Sequence, residues 1–239
     1  MVTDVSDRTQ IRLGMLRSCV GSGICVAACD PLIPQPAPLP AEAAGLSERC
    51  VDKRRREFAA GRAMARQAMI DLGFPAQPVF IGEKRAPVWP DGLTGSITHT
   101  QSCAMAGVAR ASEFGGIGLD VEEDTPLKPE LWDAICSADE QSWMRAQADP
   151  GQMGKLIFSA KEAAYKCQYS ISQRYYGFDG MELEIDMPSA RFLARFTGDQ
   201  LPFQSGDEIA GRFAIGAGVI VTAATLPRMV ADQITMRGR

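Results

Sequence analysis

The chain has 239 residues, of which 46% are hydrophobic and 23% charged, a composition that suits a globular protein with a sizeable core and excludes long disorder and fibrous classes. This length fits one large domain or two compact halves. Its 25 Lys and Arg against 29 Asp and Glu give a formal net charge of −4. General nucleic-acid binding needs a surplus of Lys and Arg, so we expect no nucleic-acid partner.

The N-terminal sequence does not resemble a targeting signal. The first dozen residues are polar and charged, without the basic and apolar regions of a signal peptide. The longest weakly polar stretch, residues 18–29, is too short to cross a bilayer of roughly 30 Å. We therefore expect a cytoplasmic protein with no membrane partner. The seven cysteines follow no regular pattern, which favours buried, reduced thiols over a zinc site.

Strands and two long helices account for most of the expected secondary structure. Hydrophobic periodicity and the positions of Gly and Pro set the boundaries. In chain order we expect one or two strands in residues 11–29, a proline-rich connector over 30–40, a long helix over 47–72, a hairpin over 79–89 that contains Lys84, strands at 95–98, 103–109 and 117–121, an acidic helical segment at 126–148, a second long helix over 151–169, and strands at 181–185, 191–197, 211–215 and 219–225.

The first long helix is rich in basic side chains. On a helical wheel, Arg62 falls in the middle of the apolar stripe, and Arg54 lies at its edge. A cation that faces the core is costly unless it is paired. Two interpretations stay open: Arg62 bridges to an internal carboxylate behind a solvated basic face, or Arg54 and Arg62 both grip a phosphate. The expected stripe consists of Val51, Phe58, Ala65, Met69 and Leu72.

Residues 116–123 alternate between apolar and acidic side chains, which is typical of a half-buried strand. Asp120 and Glu122 share one face, where two carboxylates repel each other unless a cation lies between them. Magnesium commonly takes one or two carboxylates and completes its shell with water and phosphate oxygens. The segment is either an amphipathic strand with a wet acidic face or part of a metal site.

The second long helix places Glu162 and Lys166 one turn apart, with Lys161 beside them. As an ordinary surface pair this spacing is worth only about 0.2–0.5 kcal/mol. The functional alternative makes Glu162 a third metal ligand or a base, and makes Lys161 and Lys166 phosphate contacts.

His99 is the single histidine of the chain and follows Ser96 at the end of a short expected strand. The chain has no Gly-x-Ser-x-Gly segment, so a serine nucleophile activated by this imidazole is not indicated. His99 is then either a satisfied structural side chain or, with Ser96, part of a phosphate site.

Taken together, four segments resemble the 4′-phosphopantetheinyl transferases, most closely the monomeric surfactin/enterobactin type with its enterobactin-synthetase-component-D-like members. The match covers roughly residues 50–170, with the motifs in the family's order. Two departures keep an apolar side chain: Leu119 stands where Ile is frequent, and Phe158 where Trp is frequent. The four segments are residues 54–62 (RRREFAAGR), 89–99 (WPDGLTGSITH), 118–122 (GLDVE) and 158–166 (FSAKEAAYK).

The resemblance implies an α+β fold in which two similar halves, residues 1–113 and 114–239, are related by a pseudo-twofold axis. Coenzyme A and Mg²⁺, or Mn²⁺, would lie in the cleft between the halves. The implied reaction moves 4′-phosphopantetheine from coenzyme A to a serine of an apo acyl or peptidyl carrier protein and releases adenosine 3′,5′-bisphosphate. The implied enzyme is a monomer that meets its carriers transiently.

The resemblance also implies a role for each candidate side chain. Glu162 would both bind the metal and deprotonate the carrier serine, directly or through water. The coenzyme A phosphates, chiefly the 3′-phosphate, would be held by Arg54, Arg62, Lys84 and His99, with Ser96 close by; the metal by Asp120, Glu122 and Glu162; and the pyrophosphate by Lys161 and Lys166.

Two other functions use the same residues. A coenzyme A or nucleotide-binding module would keep the cationic wall without transferring anything. A magnesium-dependent phosphohydrolase would direct the acidic cluster at water and would need no carrier protein.

Overall fold

The computed structural model of the chain describes residues 5–47 and 50–238. Seven α-helices and ten strands are assigned within these ranges. In chain order they are α1 (Val5–Cys19), β1 (Ile24–Cys29), α2 (Pro40–Ala43), α3 (Asp52–Asp71), β2 (Phe80–Ile81), β3 (Pro87–Val88), β4 (Leu93–His99), β5 (Ala104–Arg110), β6 (Phe114–Glu123), α4 (Trp132–Ile135), α5 (Ala138–Arg145), α6 (Pro150–Ser172), β7 (Met181–Asp186), β8 (Arg191–Phe196), β9 (Glu208–Gly216), β10 (Val219–Pro227) and α7 (Arg228–Arg237).

Two antiparallel sheets organise the molecule. The first has the strand order β1-β5-β4, the second β6-β10-β9-β8-β7, and β2 pairs with β3 in a small hairpin. Each sheet carries one long helix, α3 on the first and α6 on the second, so the α+β class is confirmed. All strands of the first sheet precede residue 113 and all strands of the second follow it. We propose residues 1–113 and 114–239 as the two halves on this basis.

Apolar side chains fill the space between each helix and its sheet. Ala65 and Met69 of α3 pack against the first sheet, whereas Leu156 and Ala163 of α6 belong to the core of the second. The faces turned away from these helices share a third core with Leu16 of α1. Burial of apolar area at roughly 25 cal/mol per Å² holds these layers together.

The N-terminal segment is a helix where the sequence analysis expected strand, so that prediction was wrong for residues 11–19. Its buried positions, Arg12, Leu16 and Cys19, follow helical spacing, but a charged side chain stands at one of them. The Arg12 guanidinium donates to the carbonyl oxygens of Ala217 and Ser102 at 2.9 and 2.7 Å, which satisfies it inside the protein. The charge had masked the helical pattern.

Other boundaries also differ from expectation. The first long helix begins at Asp52 rather than at residue 47, so Val51 lies outside it and is 69% exposed instead of contributing to the apolar stripe. Residues 48 and 49 of the expected helix lie outside the described residues. The acidic segment divides into α4 and α5, and α7 was not expected at all.

The seven cysteines all lie among the described residues, form no disulfide, and five of them are buried. Within residues 5–47 and 50–238, no helix is both long and apolar enough to cross a membrane.

The two sheets meet along a seam between the edge strands β4 and β6. Side-chain hydroxyls of β4 replace the carbonyl oxygens of a continuous sheet there. The Leu119 amide donates to Ser96 Oγ at 3.0 Å, and the Val121 amide donates to Thr98 Oγ1 at 3.2 Å. These bonds satisfy buried donors that would otherwise cost about 1–3 kcal/mol each.

Candidate active site

A cavity of about 470 Å³ opens between α3, the end of β4 and the β2–β3 hairpin. One helix face supplies Arg54, Glu57 and Arg62, the last residue of β4 is His99, and the hairpin adds Arg85. Three guanidinium groups against one carboxylate make this cavity cationic. Guanidinium groups bind phosphate through paired, charge-assisted hydrogen bonds, so the cavity suits a phosphate-bearing ligand. We refer to it as the basic cavity.

Arg62 is the most buried cation of the basic cavity, with 6% of its surface exposed. Its guanidinium carbon lies 4.6 Å from the centre of the Phe58 ring, and its buried Nε has no hydrogen-bond partner among the described residues. Burial lowers the pKa of Arg62 to about 10, against the opposing charge of Glu42. Nη2 of Arg62 donates to the Phe80 carbonyl oxygen at 3.4 Å, which leaves Nε as the costly buried donor that an acceptor on a ligand could satisfy.

Glu42 is the internal carboxylate near Arg62, but it forms its ion pair with Arg66. Glu42 is fully buried, forms an ion pair with Arg66, and accepts the Val79 amide at 3.1 Å. Within the described residues Arg62 forms no ion pair, so the interpretation in which it bridges to an internal carboxylate does not hold, and its contact with a phosphate stays a prediction.

His99 lies between Arg54 and Glu57. Arg54 Nη1 is 3.0 Å from His99 Nε2, and Glu57 Oε2 is 3.7 Å from His99 Nδ1. A guanidinium only donates, so Nε2 is the accepting nitrogen and the proton of the neutral ring lies on Nδ1. Burial lowers the pKa of His99 below its ordinary value, although the charge of Glu57 partly opposes this. The imidazole is neutral near pH 7.

Asp120 of β6 is buried and contacts two side chains of α6. Its Oδ1 lies 2.6 Å from Lys166 Nζ, and its Oδ2 accepts the Ser159 hydroxyl at 2.9 Å. The close approach of this helix depends on Gly118, because a Cβ there would collide with the Ala163 carbonyl oxygen and the backbone of the following turn. The glycine two residues before Asp120 therefore sets the distance between strand and helix.

Lys166 is a lysine that interacts electrostatically with all three candidate metal ligands. Burial alone would lower its pKa, but the charges of Asp120, Glu162 and Glu122 and the hydrogen bond to Asp120 outweigh it and raise the pKa. Glu122 is in turn 3.2 Å from Lys155 Nζ. Within the described residues, no three His, Cys, Asp or Glu side chains converge closely enough to hold a metal ion. The three carboxylates share one electrostatic environment but are not gathered around a common point, because the two lysines hold Asp120 and Glu122.

Glu162 differs from the other two carboxylates because it has no hydrogen bond or ion pair among the described residues. Burial raises its pKa, and the charge of Asp120 adds to this while Lys166 opposes it. The side chain lines a small cavity of about 90 Å³ together with Tyr165 and Tyr175. An unpaired carboxylate with a raised pKa is suited to accept a proton.

Lys161 borders the small cavity that Glu162 lines, but protein oxygens hold its ammonium, so the structure does not leave it open to the expected pyrophosphate. Only 4% of it is exposed, and its ammonium lies 2.8 Å from Glu140 Oε2 and 2.9 Å from the carbonyl oxygens of Ile135 and Phe178. All three donors of the ammonium are occupied by protein oxygens. Lys161 therefore holds α6 against α5 and against the segment around Phe178.

Ser96 also has a structural role in this structure. It is 3% exposed, and its oxygen accepts the Leu119 amide across the seam between the sheets. The side chain also borders a second cavity, and accepting the amide leaves its hydroxyl hydrogen as a donor.

The second cavity, of about 470 Å³, lies on the other side of the β2–β3 hairpin and is lined by Lys84 and Lys166. Lys84 Nζ lies 5.1 Å from the centre of the Tyr175 ring, so a cation of the first half contacts an aromatic side chain of the second. Arg85 and Ile97 line both cavities, which therefore adjoin at the hairpin. We refer to this space as the lysine cavity.

Three residues with evident contacts at the site were absent from the sequence-based set. Glu57 faces His99, Arg85 borders both cavities, and Lys155 pairs with Glu122. The position of Lys155 two helical turns before Glu162 was a usable signal, because residues seven apart share a helix face. Arg85 follows Lys84 in the hairpin, but nothing in the pattern of the sequence separates its role from that of a surface arginine.

Comparison with known proteins gives a consistent result over most of the chain. The 4′-phosphopantetheinyl transferase N-terminal domain family matches residues 41–109, and the 4′-phosphopantetheinyl transferase superfamily matches residues 116–217. The chain is 37% identical over 189 residues to the 4′-phosphopantetheinyl transferase Svp of Streptomyces mobaraensis, covering 77% of this chain and 76% of that protein. It is 34% identical over 196 residues to PptT of Mycobacterium tuberculosis, covering 79% and 86%. Enterobactin synthase component D of Salmonella typhi is 38% identical over 134 residues, or 55% of each chain.

Both family matches fall on the segments that build the two cavities, and the similarity to whole transferases extends over about three quarters of the chain. The chain therefore belongs to the 4′-phosphopantetheinyl transferase superfamily, whose members move phosphopantetheine from coenzyme A to carrier proteins.

Proposed function

We propose that this enzyme transfers 4′-phosphopantetheine from coenzyme A to the serine hydroxyl of apo acyl or peptidyl carrier proteins, in a reaction that depends on Mg²⁺ or Mn²⁺ and releases adenosine 3′,5′-bisphosphate. The observation that carries the proposal is the pairing of two adjoining cavities. One contains the buried Arg62, whose Nε has no hydrogen-bond partner among the described residues, and the other leads to Lys166 and the acidic side chains near it. A long polyanion with one terminal phosphate and an internal diphosphate matches this arrangement.

The basic cavity is the proposed site of the 3′-phosphate. Arg62 offers an unused donor, Arg54 lies at the same wall, and His99 donates only from Nδ1 while it stays neutral. A phosphate dianion in this cavity would supply the negative charge that Arg62 lacks. Lys84 lines the lysine cavity instead, so we assign it to the diphosphate side of coenzyme A.

The donor chemistry of the acidic cluster fits a hard divalent cation. Asp120, Glu122 and Glu162 are carboxylates, the ligands that magnesium takes in small number while phosphate oxygens and water complete its shell. Burial raises the pKa of both Glu122 and Glu162, and the charge of Asp120 adds to this shift. We propose that these carboxylates hold the metal when Asp120 and Glu122 turn from Lys166 and Lys155 toward the ion, since they do not converge in the structure as described. A bound divalent ion would neutralise charge at the diphosphate.

Glu162 is the proposed base. The carrier serine oxygen would attack the phosphorus that bears the pantetheine arm, forming a new P–O bond as the bond to the bridging oxygen of the diphosphate breaks. The serine proton would pass to Glu162, directly or through a water, and the bridging oxygen would leave with adenosine 3′,5′-bisphosphate. Lys166 would stabilise the charge on that leaving group, because its raised pKa keeps the ammonium charged.

Intact-mass spectrometry of apo carrier proteins tests the proposed reaction. The enzyme is incubated with coenzyme A and Mg²⁺, with an EDTA control, and with carriers from fatty-acid, polyketide and nonribosomal peptide synthesis. We expect a carrier to gain one phosphopantetheine only with metal, together with one equivalent of adenosine 3′,5′-bisphosphate. Coenzyme A binding with no carrier modified would favour a binding module, whereas cleavage without any carrier would favour a hydrolase.

Glu162→Gln tests the assignment of the base. The variant should bind coenzyme A with nearly the wild-type Kd while transfer falls by two or more orders of magnitude, since general base catalysis contributes typically 10²–10⁴-fold. Normal turnover by this variant would remove Glu162 from the mechanism. Titration with Mg²⁺ shows whether loss of one metal ligand, rather than of the base, accounts for the defect, because excess metal would then restore the rate.

A further inference from the structure

One face of α6 carries three charged side chains that run along the acidic strand β6. Lys155, Glu162 and Lys166 lie within about 40° of one another on a helix that turns 100° per residue. The two lysines bond the two carboxylates of the strand. Lys166 Nζ lies 2.6 Å from Asp120 Oδ1, and Lys155 Nζ lies 3.2 Å from Glu122 Oε2. Each strand carboxylate therefore has its own lysine of α6 as a counter-ion.

Lys155 is held less firmly than Lys166. The ammonium of Lys166 also donates to the Leu119 carbonyl oxygen at 3.1 Å. Among the described residues Lys155 has one hydrogen-bond acceptor, Glu122, and its Nζ lies 5.6 Å from the centre of the Phe158 ring. The side chains of Lys155 and Glu122 are 15% and 28% exposed, so water reaches the contact. A partly exposed ion pair of this kind is weak, and the ammonium can leave it at low cost.

Gln152 provides a second contact between the same helix and strand. Its side-chain amide donates to Asp124 Oδ1 at 2.9 Å, about one turn of α6 before Lys155. Asp124 is not a candidate metal ligand, so this contact fastens the start of α6 to the end of β6 without using one. Lys155 differs from Gln152 because it occupies an oxygen of Glu122.

We propose that Lys155 is a positioning residue that competes with the divalent ion for Glu122, so that the enzyme binds the ion weakly until coenzyme A is present. The proposal rests on the proposed function, in which Glu122 is a metal ligand. An ammonium bonded to a carboxylate repels a second cation at the same group. Coenzyme A changes this balance, because its diphosphate offers further oxygen ligands to the ion and a second anion to the displaced ammonium.

Binding of Mn²⁺, measured from the electron paramagnetic resonance signal of the free ion, tests this competition in Lys155→Met. Methionine keeps an apolar stem of similar length and removes the charge. We expect the Kd of the free variant for Mn²⁺ to fall roughly three- to fivefold, the effect of one weak ion pair. With saturating coenzyme A the Kd should fall by a smaller factor, because the diphosphate already offsets the ammonium in the wild type. Lys155→Arg keeps the charge and should bind Mn²⁺ as the wild type does.

Gln152→Met is the matched control. It removes the other side-chain contact between the start of α6 and the end of β6 and leaves every charge in place, so the Kd for Mn²⁺ should not change. The Tm of each variant reports the loss of stability separately from metal affinity. Equal changes of the Kd in Gln152→Met and Lys155→Met would show that Lys155 acts only by fastening the helix, and would overturn the proposal.

The remaining outcomes separate the role of Lys155 from the proposed function. An unchanged or higher Kd for Mn²⁺ in free Lys155→Met overturns the competition, and so does equal binding with coenzyme A if neither free form binds the ion. An equal fall with and without coenzyme A overturns the dependence on coenzyme A. In each case a wild type that modifies a carrier only with metal leaves the proposed function intact. A wild type that binds no Mn²⁺ even with coenzyme A, and that transfers in EDTA, would overturn the metal dependence itself.

Discussion

Replacing Lys161 by methionine removes an ammonium that lies buried between Glu140 and the carbonyl oxygens of Ile135 and Phe178. Glu140 then stays in the core, 3% exposed, with an uncompensated charge. Removing one partner of a buried ion pair typically costs about 3–5 kcal/mol. At about 2–4 °C per kcal/mol for a chain of this length, the Tm should fall by roughly 6–20 °C.

Urea denaturation of Lys161→Met measures the loss of unfolding free energy, and calorimetry well below the Tm measures coenzyme A binding. We expect a large loss of stability with a Kd for coenzyme A within about twofold of wild type, since Lys161 has no donor left for a phosphate. The double variant with Glu140→Gln should recover part of the stability, because the second charge is removed while an acceptor is kept for the Leu183 amide. Wild-type stability combined with a lost affinity for coenzyme A would refute the structural role of Lys161.

Three further predictions concern the basic cavity and the helix contact. Arg62→Ala should weaken coenzyme A binding more than dephospho-coenzyme A binding, measured by calorimetry; equal losses for both ligands would contradict the 3′-phosphate assignment. His99 is the single histidine, so one imidazole resonance in an NMR titration should show a midpoint below 6.5, and Glu57→Gln should lower it further by removing the charge that opposes burial. Because the folded state favours the neutral ring, the contribution of His99 to the free energy of unfolding should be lost as pH falls from 6.5 through that lower pKa. A titration midpoint at or above 6.5 would contradict both the lowered pKa and this pH dependence of stability. Gly118→Ala should lower the free energy of unfolding by about 1–3 kcal/mol, measured by denaturation, and reduce transfer, because α6 must move away from β6. Gly14→Ala is the control: Gly14 of α1 is exposed with open space around it, so this change should stabilise the protein by up to about 1 kcal/mol.

Periodicity predicted the elements that carry the candidate site. The alternation in residues 116–123 predicted which side chains of β6 face a core, and Ile117, Leu119 and Val121 are indeed buried together. The wheel of the first long helix placed Arg62 toward the interior, where it is found. Such patterns succeed where every residue on a face obeys the same rule.

Partners across the fold were not predictable in this way. Lys161 and Ser96 stand in motif segments, but whether each side chain meets a ligand or another part of the protein depends on residues far away in sequence, such as Glu140. The first helix was missed because Arg12 occupies a core-facing position that two distant carbonyl oxygens make tolerable. Periodicity predicts which face of an element is buried. Whether a charged side chain on that face finds a partner depends on the tertiary structure.

The seam between β4 and β6 has a consequence for dividing the chain. If residues 114–239 were expressed alone, β6 would present the amides of Leu119 and Val121 without the hydroxyls that accept them. An uncovered edge strand is a template for pairing with other chains. We therefore expect the isolated fragment 114–239 to self-associate and a separately supplied fragment 1–113 to restore its solubility. The two fragments could then serve as a split reporter, in which recovered transfer activity shows that they have been brought together.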